Sequence, residues 1–159
     1  MGGEIGLDAN VFLCVLLPEA TKTAPDNVKS SEAILQALEK ADIQATTSAI
    51  VLSEIGWALL RDKKTAKEVE GARYVLEEML KRTLKIIPVQ NEIAWKAAWL
   101  RSKYYSKENQ LSYQDAIYLA TCTTRKISVL YTTDQHLLQT KEIAVLQPRD
   151  FKSKTSHSR

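Results

Sequence analysis

Short apolar runs alternate along the chain with longer segments whose apolar residues recur at helical spacing. Ile5-Gly6-Leu7 is the first such run, and it ends on an acid, Asp8. Ala9–Leu17 is too apolar to face water and predicts one or two helical turns, whereas Pro18–Asn27, with two prolines, reads as a polar loop. Ala33, Ile34, Ala37 and Leu38 place a helix over 28–41, and the β-branched stretch Ile43–Thr47 reads as a strand. Ser48 offers an N-cap to a helix over 49–62. Thr65-Ala66-Lys67-Glu68 is a capping-box pattern that opens a charged amphipathic helix running to about Arg82. Leu84–Val89 is a strand candidate broken by Pro88. Glu92–Lys107 is helical, with Ile93, Ala97 and Leu100 on one side and Trp95 and Trp99 at i,i+4. Ser112–Lys126 predicts an apolar helix, Ser128–Thr132 a strand, Asp134–Thr140 a turn or two of helix and Ile143–Leu146 a last strand. Periodicity stops at Arg149, so a domain over 4–148 is expected to precede a basic, mobile tail over 149–159. Strands and helices alternate throughout, the pattern of a parallel α/β sandwich.

A chain of 159 residues suffices for one such domain. At 45% hydrophobic and 26% charged it is neither collagenous nor disordered, and five Gly with four Pro disfavour a turn-rich all-β protein. Cys14 and Cys122 lie within apolar runs and read as small buried hydrophobes in a reducing cytoplasm. Two histidines give no zinc-ligand spacing. The longest apolar run, Val11–Leu17, is too short to span a membrane and has no basic segment before it, so neither a span nor a signal peptide is expected.

Most acids are covered by cations on their own helix: Glu77 has Arg73 and Lys81 one turn away on either side, and Glu70 has Lys67 and Arg73. Four acids differ. Glu54 has Ile50, Val51, Trp57 and Ala58 around it, and Asp115 has Leu111, Ser112, Tyr118 and Leu119. Asp8 and Asp134 close apolar strands. An ionised carboxylate among apolar neighbours is costly unless it is paired or binds a cation. Asp8, Asp115 and Asp134 each have an alternative as helix caps, and Glu54 has one in a tertiary ion pair. Taken together, however, Asp8 and Asp134 sit at the carboxyl ends of parallel strands, the edge where open α/β sheets bind ligands, with Glu54 and Asp115 on helices able to flank that crevice. Hard oxygen ligands of this kind suit Mg²⁺ or Mn²⁺ and point to phosphoryl chemistry.

Gly6-Leu7-Asp8-Ala9-Asn10-Val11, Ser48-Ala49-Ile50-Val51-Leu52-Ser53-Glu54-Ile55, Ser112-Tyr113-Gln114-Asp115-Ala116 and Leu130-Tyr131-Thr132-Thr133-Asp134 are four motifs in the order of the PIN-domain nucleases. From Ile5 to Pro148 the chain resembles that superfamily, which includes VapC-type toxins and several RNA-processing endonucleases. The resemblance implies a three-layer α/β/α sandwich with a five-stranded parallel sheet of order 3-2-1-4-5. It also implies Mg²⁺- or Mn²⁺-dependent cleavage of single-stranded RNA by a cluster of Asp8, Glu54, Asp115 and Asp134, with Asn10 and Thr132 or Thr133 as polar supports. A homodimer and a small antitoxin are implied as partners. Ala9 departs from the pattern, where a hydroxyl residue is common. The loop Pro18–Asn27 and the tail exceed a minimal toxin, which keeps an RNA-processing role open beside the toxin role. A non-catalytic RNA-binding scaffold is disfavoured because all four acids are present. A phosphatase of the haloacid-dehalogenase type is disfavoured because the second Asp of its motif is replaced by Asn10.

The formal charge is +3, and setting the four acids aside raises the remainder to +7. A negative cleft on a positive body suits a polyphosphate substrate. Candidate backbone contacts are Lys63, Lys64, Arg101, Lys103, Arg125, Lys126 and the tail lysines, and Tyr104 and Tyr105 are candidate base-stacking rings. Trp57, Trp95 and Trp99 read as core or dimer packing.

Overall fold

The computed structural model describes residues 3–153. Five short parallel strands form one sheet: β1 (Ile5–Leu7), β2 (Ala45–Ser48), β3 (Leu84–Ile87), β4 (Val129–Tyr131) and β5 (Ala144–Leu146), in the spatial order β3-β2-β1-β4-β5. The central strand pairs on one side with β2 (Gly6 opposite Thr46) and on the other with β4 (Leu7 opposite Tyr131). The chain leaves β1 toward β2 and reaches β4 only after crossing over β1, so the carboxyl ends of β1 and β4 border the point where the winding reverses.

Between β1 and β2 run α1 (Ala9–Leu16), α2 (Pro18–Thr21) and α3 (Pro25–Glu39), and between β2 and β3 run α4 (Ile50–Arg61) and α5 (Ala66–Tyr74). α6 (Asn91–Tyr104) and α7 (Tyr113–Thr124) link β3 to β4, and α8 (Gln135–Leu138) links β4 to β5. With right-handed crossovers, α1 to α5 cover one face of the sheet and α6 to α8 the other. Ile34, Leu38, Val51 and Ile55 fill the first interface, and Ala116, Leu119 and Ala120 fill the second, all buried.

The element order follows the sequence pattern, with informative departures. The stretch Pro18–Asn27 is not a continuous loop: Pro18 and Pro25 each start a helix, in the position where a missing N–H costs nothing. The helix opened by the Thr65/Glu68 capping box stops at Tyr74 and continues as a π-helical turn, Val75–Met79, which turns buried Leu76 inward while Val75 and Met79 stay exposed. The packed body also extends past 148. Pro148–Asp150 form a 3₁₀ turn, Asn27 accepts from the Arg149 N–H (3.0 Å), and Phe151 stacks edge-on against Tyr131 at 5.8 Å between ring centroids. Arg149–Phe151, expected as tail, are therefore docked, because Asn27 and Tyr131 supply partners that local periodicity does not reveal. Of the expected tail, Lys152 and Ser153 are exposed and 154–159 lie outside the described residues. Trp57, Trp95 and Trp99 are 65%, 71% and 75% exposed, which removes the core reading for all three.

One close approach is specified by a glycine. A Cβ on Gly6 would lie 2.4 Å from the Cys122 Sγ of α7, so α7 packs onto β1 only because that strand has no side chain there. Both cysteines are free and buried. Gly6→Ala is expected to cost about 1–3 kcal/mol through overpacking. In a Cys122→Ala background the same change should cost much less. Urea unfolding of the four proteins of this double-mutant cycle gives the coupling directly, and an unchanged cost in both backgrounds would place the strain elsewhere.

Candidate active site

Asp8 follows the last residue of β1 and is 2% exposed. Its backbone continues the sheet by donating to the Tyr131 carbonyl (3.3 Å). Its side chain uses both oxygens. Oδ1 caps α1 by accepting the Asn10 N–H (3.0 Å), and Oδ2 accepts from the Thr132 hydroxyl. Thr132, fully buried just beyond β4, also accepts the Asp134 N–H (3.0 Å), so one hydroxyl fixes two of the four acids. Asp134 caps α8, its Oδ1 accepting from the N–H groups of His136 (2.9 Å) and Leu137 (3.0 Å). Asp115 lies in the first turn of α7, where its Oδ2 accepts from the Ser112 hydroxyl (2.8 Å) and its N–H donates back to that hydroxyl (3.1 Å). Glu54 is in the second turn of α4.

The capping roles and the shared crevice are both real. A carboxylate has two oxygens, and Asp115 and Asp134 each spend one on their own helix and leave Oδ1 and Oδ2 respectively without a hydrogen bond from the described residues. The four acids sense one another across the crevice. Burial, reinforced by the charges of Asp115, Glu54 and Asp134, pushes the Asp8 carboxyl up to about 8, against the opposing hydrogen bond from Thr132. Burial, with Asp115 adding, raises Glu54 to about 7, and burial with Asp134 adding raises Asp115 to about 6. Among the described residues none of the four has a Lys or Arg partner; the ion pairs that form all lie elsewhere. Among the described residues Glu54 Oε1 and the Tyr118 hydroxyl that faces it from α7 are buried and neither has a partner at hydrogen-bond geometry, although Tyr118 is close enough to oppose the rise of the Glu54 pKa.

This donor set fits a hard divalent cation: carboxylate oxygens only, no competing ammonium or guanidinium, and one buried oxygen with nothing to accept from. Among the described residues, no three His, Cys, Asp or Glu side chains are placed to coordinate one ion together.

The other expected residues are distributed unevenly. Thr132 is the polar support. Thr133 is half-buried and makes no side-chain hydrogen bond to the described residues, and Asn10 contributes its backbone N–H. Lys103 is paired with Glu142 (2.6 Å), whose Oε1 also accepts from the Tyr104 hydroxyl (3.0 Å). Arg125 and Lys126 follow the far end of α7, which begins beside the acids and runs about 18 Å away from them at 1.5 Å per residue. They therefore lie at the opposite edge of the sheet. Two contributors have little sequence signal. Tyr118 is visible only as the i+3 neighbour of Asp115. The clasp between Asn109 Oδ1 and His136 Nδ1 (3.0 Å), which ties the α6–α7 loop to α8, joins positions far apart in sequence.

A family model described as PIN domain matches residues 5–143. The chain belongs to the PIN-domain family. Solved structures agree on the fold. FitAcB from Neisseria gonorrhoeae superposes with a TM-score of 0.65 at 21% identity, covering 92% of this chain and 99% of that one. A toxin–antitoxin complex from Klebsiella pneumoniae gives 0.61 at 21%, covering 91% and 98%. VapC20 of Mycobacterium tuberculosis, a sarcin–ricin-loop-cleaving toxin, gives 0.64 at 16%, covering 84% and 92%. No curated protein matches the sequence. Among the described residues no helix is long and apolar enough to cross a membrane.

The raised carboxyls of this PIN domain set the sign of its pH dependence. In the unfolded chain these acids ionise near pH 4, whereas in the fold Asp115, Glu54 and Asp8 hold protons to about 6, 7 and 8. Between about pH 4 and 8 the folded state thus binds more protons, and stability falls as pH rises through that window. In chelator, the thermal midpoint should drop from pH 5 to pH 8, and Asp8→Asn should flatten the drop and raise the midpoint at pH 8. A midpoint that rises over this range would show the acids to be paired instead.

Proposed function

We propose that this PIN domain is a Mg²⁺- or Mn²⁺-dependent endoribonuclease that hydrolyses phosphodiester bonds of single-stranded RNA, acting as the toxin of a toxin–antitoxin pair in the cytoplasm. The observation that carries the reading is the convergence of Asp8, Glu54, Asp115 and Asp134 from four separate elements without a cationic partner. Asp8, Asp115, Asp134 and the free oxygen of Glu54 line the place where the metal would sit, one or two of them binding it directly and the others through its waters. A bound divalent ion lowers the pKa of a water and offsets charge at the phosphorus. Thr132 keeps Asp8 and Asp134 in register, Ser112 aims Asp115, and the helix caps stop the carboxylates from rotating away. The toxin role is supported by the fold neighbours, one named as a sarcin–ricin-loop-cleaving toxin and another solved as a toxin–antitoxin complex.

Two partners belong to the same proposal. A small antitoxin would seat an apolar segment in the groove between α1, α3 and the π-helical turn, where Leu16, Val75 and Met79 are exposed beside Phe12, Val15 and Leu35. A second copy of the chain would cover Trp95 and Trp99, which share one face of α6.

Cleavage of a mixed single-stranded RNA should require Mg²⁺ or Mn²⁺ and stop with chelator. Asp8→Asn or Asp115→Asn should lower the rate at least about 100-fold, and Thr132→Val should fall within the 10–100-fold range of an outer-shell partner. Metal-independent cleavage, or full activity in Asp115→Asn, would end the proposal. Sedimentation should show a dimer that Trp99→Glu converts to monomer.

A further inference from the structure

Arg101 stands apart from the other cations of the surface. Its guanidinium is sandwiched between two exposed rings, 4.7 Å from the centroid of Tyr105 and 4.2 Å from that of Tyr113. Its Nε donates to the carbonyl of Leu111 (3.0 Å), a residue with no exposed surface. Its terminal nitrogens make no hydrogen bond or ion pair with the described residues. Stacking leaves the edge of a guanidinium free, so four N–H groups remain available as a fork that fits two oxygens of one phosphate. The rings are 51% and 57% exposed, which leaves ring surface open beyond the sandwich.

The support of this stack is rigid. The loop between α6 and α7 is closed by the Ser106 N–H on the Asn109 carbonyl (3.0 Å), by Asn109 Nδ2 on the Tyr104 carbonyl (3.1 Å), and by the Asn109 clasp on His136. His136 in turn follows Asp134 by two residues. Tyr113 is the first residue of α7 and Asp115 the third. Two helical residues are separated by about 200° of rotation. The stack therefore lies on nearly the opposite side of the first turn of α7 from Asp115, about a helix diameter (~10 Å) from the crevice and within reach of an adjoining nucleotide.

We propose that Tyr105, Arg101 and Tyr113 form a binding subsite for a nucleotide of single-stranded RNA that flanks the one cut. The Arg101 edge takes a phosphate and the outward face of Tyr113 or Tyr105 takes a base, so the subsite sets which strand conformation enters the crevice. This rests on the reading of the crevice as an RNA-cleaving centre. The chemistry favours a nucleic acid over a protein partner, because the stack joins an unpaired, permanent cation to flat rings without an aliphatic rim of its own.

Fluorescence anisotropy of a labelled, short single-stranded RNA with the full chain carrying Asp8→Asn tests the subsite without turnover. Tyr113→Ala and Tyr105→Ala should weaken binding roughly 5- to 100-fold at an unchanged salt slope, with Tyr113→Phe keeping the affinity. Arg101→Gln should reduce the slope of log affinity against log salt by about 0.7, the value for one phosphate contact on a single strand. Arg101→Lys should keep the slope and lose affinity, since an ammonium cannot stack. Variants that bind like the parent, while the chain without Asp8→Asn cleaves RNA, would remove the subsite and leave the nuclease reading standing. A parent that neither binds nor cleaves single-stranded RNA would sink both. Variants that alter sedimentation but not RNA affinity would make the stack a protein interface and overturn the proposal.

Discussion

The central strand of the sheet ends in a carboxyl group that is 2% exposed and has no cation beside it. Everything around the crevice answers to that one buried acid. Removing a charge from water costs several kcal/mol unless it is compensated, and Asp8 is compensated only by two hydrogen bonds, from the Asn10 N–H and the Thr132 hydroxyl. Burial, with the neighbouring acids adding to it, outweighs them, and the carboxyl holds its proton up to about 8. The folded chain thus carries an unsatisfied demand for positive charge at the point where the strand order reverses.

The demand is shared by design of the topology. β1 and β4 are neighbours, so the acids that close them meet. α4 and α7 then bring Glu54 and Asp115 from opposite faces of the sheet. Each Asp is also a structural residue of its own helix, which fixes its χ angles. Thr132, bonding to Asp8 on one side and to the Asp134 N–H on the other, converts two strand ends into one unit. Positioning therefore comes from the same side chains that the proposed cation would need, and a carboxamide in place of a carboxylate would preserve the first role while losing the second.

How much of this could be read from the chain depends on range. Glu54 was legible because a mid-helix acid with only apolar neighbours has no local explanation. The strands and their order of connection were legible because short apolar or β-branched runs alternate with helical periodicity, although β2 itself is the polar stretch Ala45–Ser48. For Asp8, Asp115 and Asp134, local reading offered capping or a cluster as alternatives, and the structure contains both, since a cap needs only one of two oxygens. What stayed hidden is long-range pairing. The docking of Arg149 through Asn27, the Asn109–His136 clasp and the engagement of Lys103 by Glu142 all join positions whose proximity no local pattern encodes. The tryptophans misled for a different reason: their size suggests burial, but i,i+4 spacing specifies a shared face and not which way that face looks.

The arrangement of cations is the counterpart of the acidic crevice. A Lys or Arg reaching any of the four acids would satisfy it, lower its pKa and occupy the place of a divalent ion. Lys64, Arg73, Lys81, Lys85, Lys103 and Arg149 are all engaged by other carboxylates. Arg125 and Lys126 follow the end of α7 remote from the acids. Arg101 is the instructive case, since it lies near the first turn of α7 and pairs with no acid among the described residues. Its Nε is fixed on the Leu111 carbonyl and its faces are covered by Tyr105 and Tyr113. Stacking holds the charge without neutralising it and without letting it swing across to Asp115. A negative crevice and a permanent positive charge can then stand within a helical turn of each other, each still available to a ligand that carries both a phosphate and a flat base.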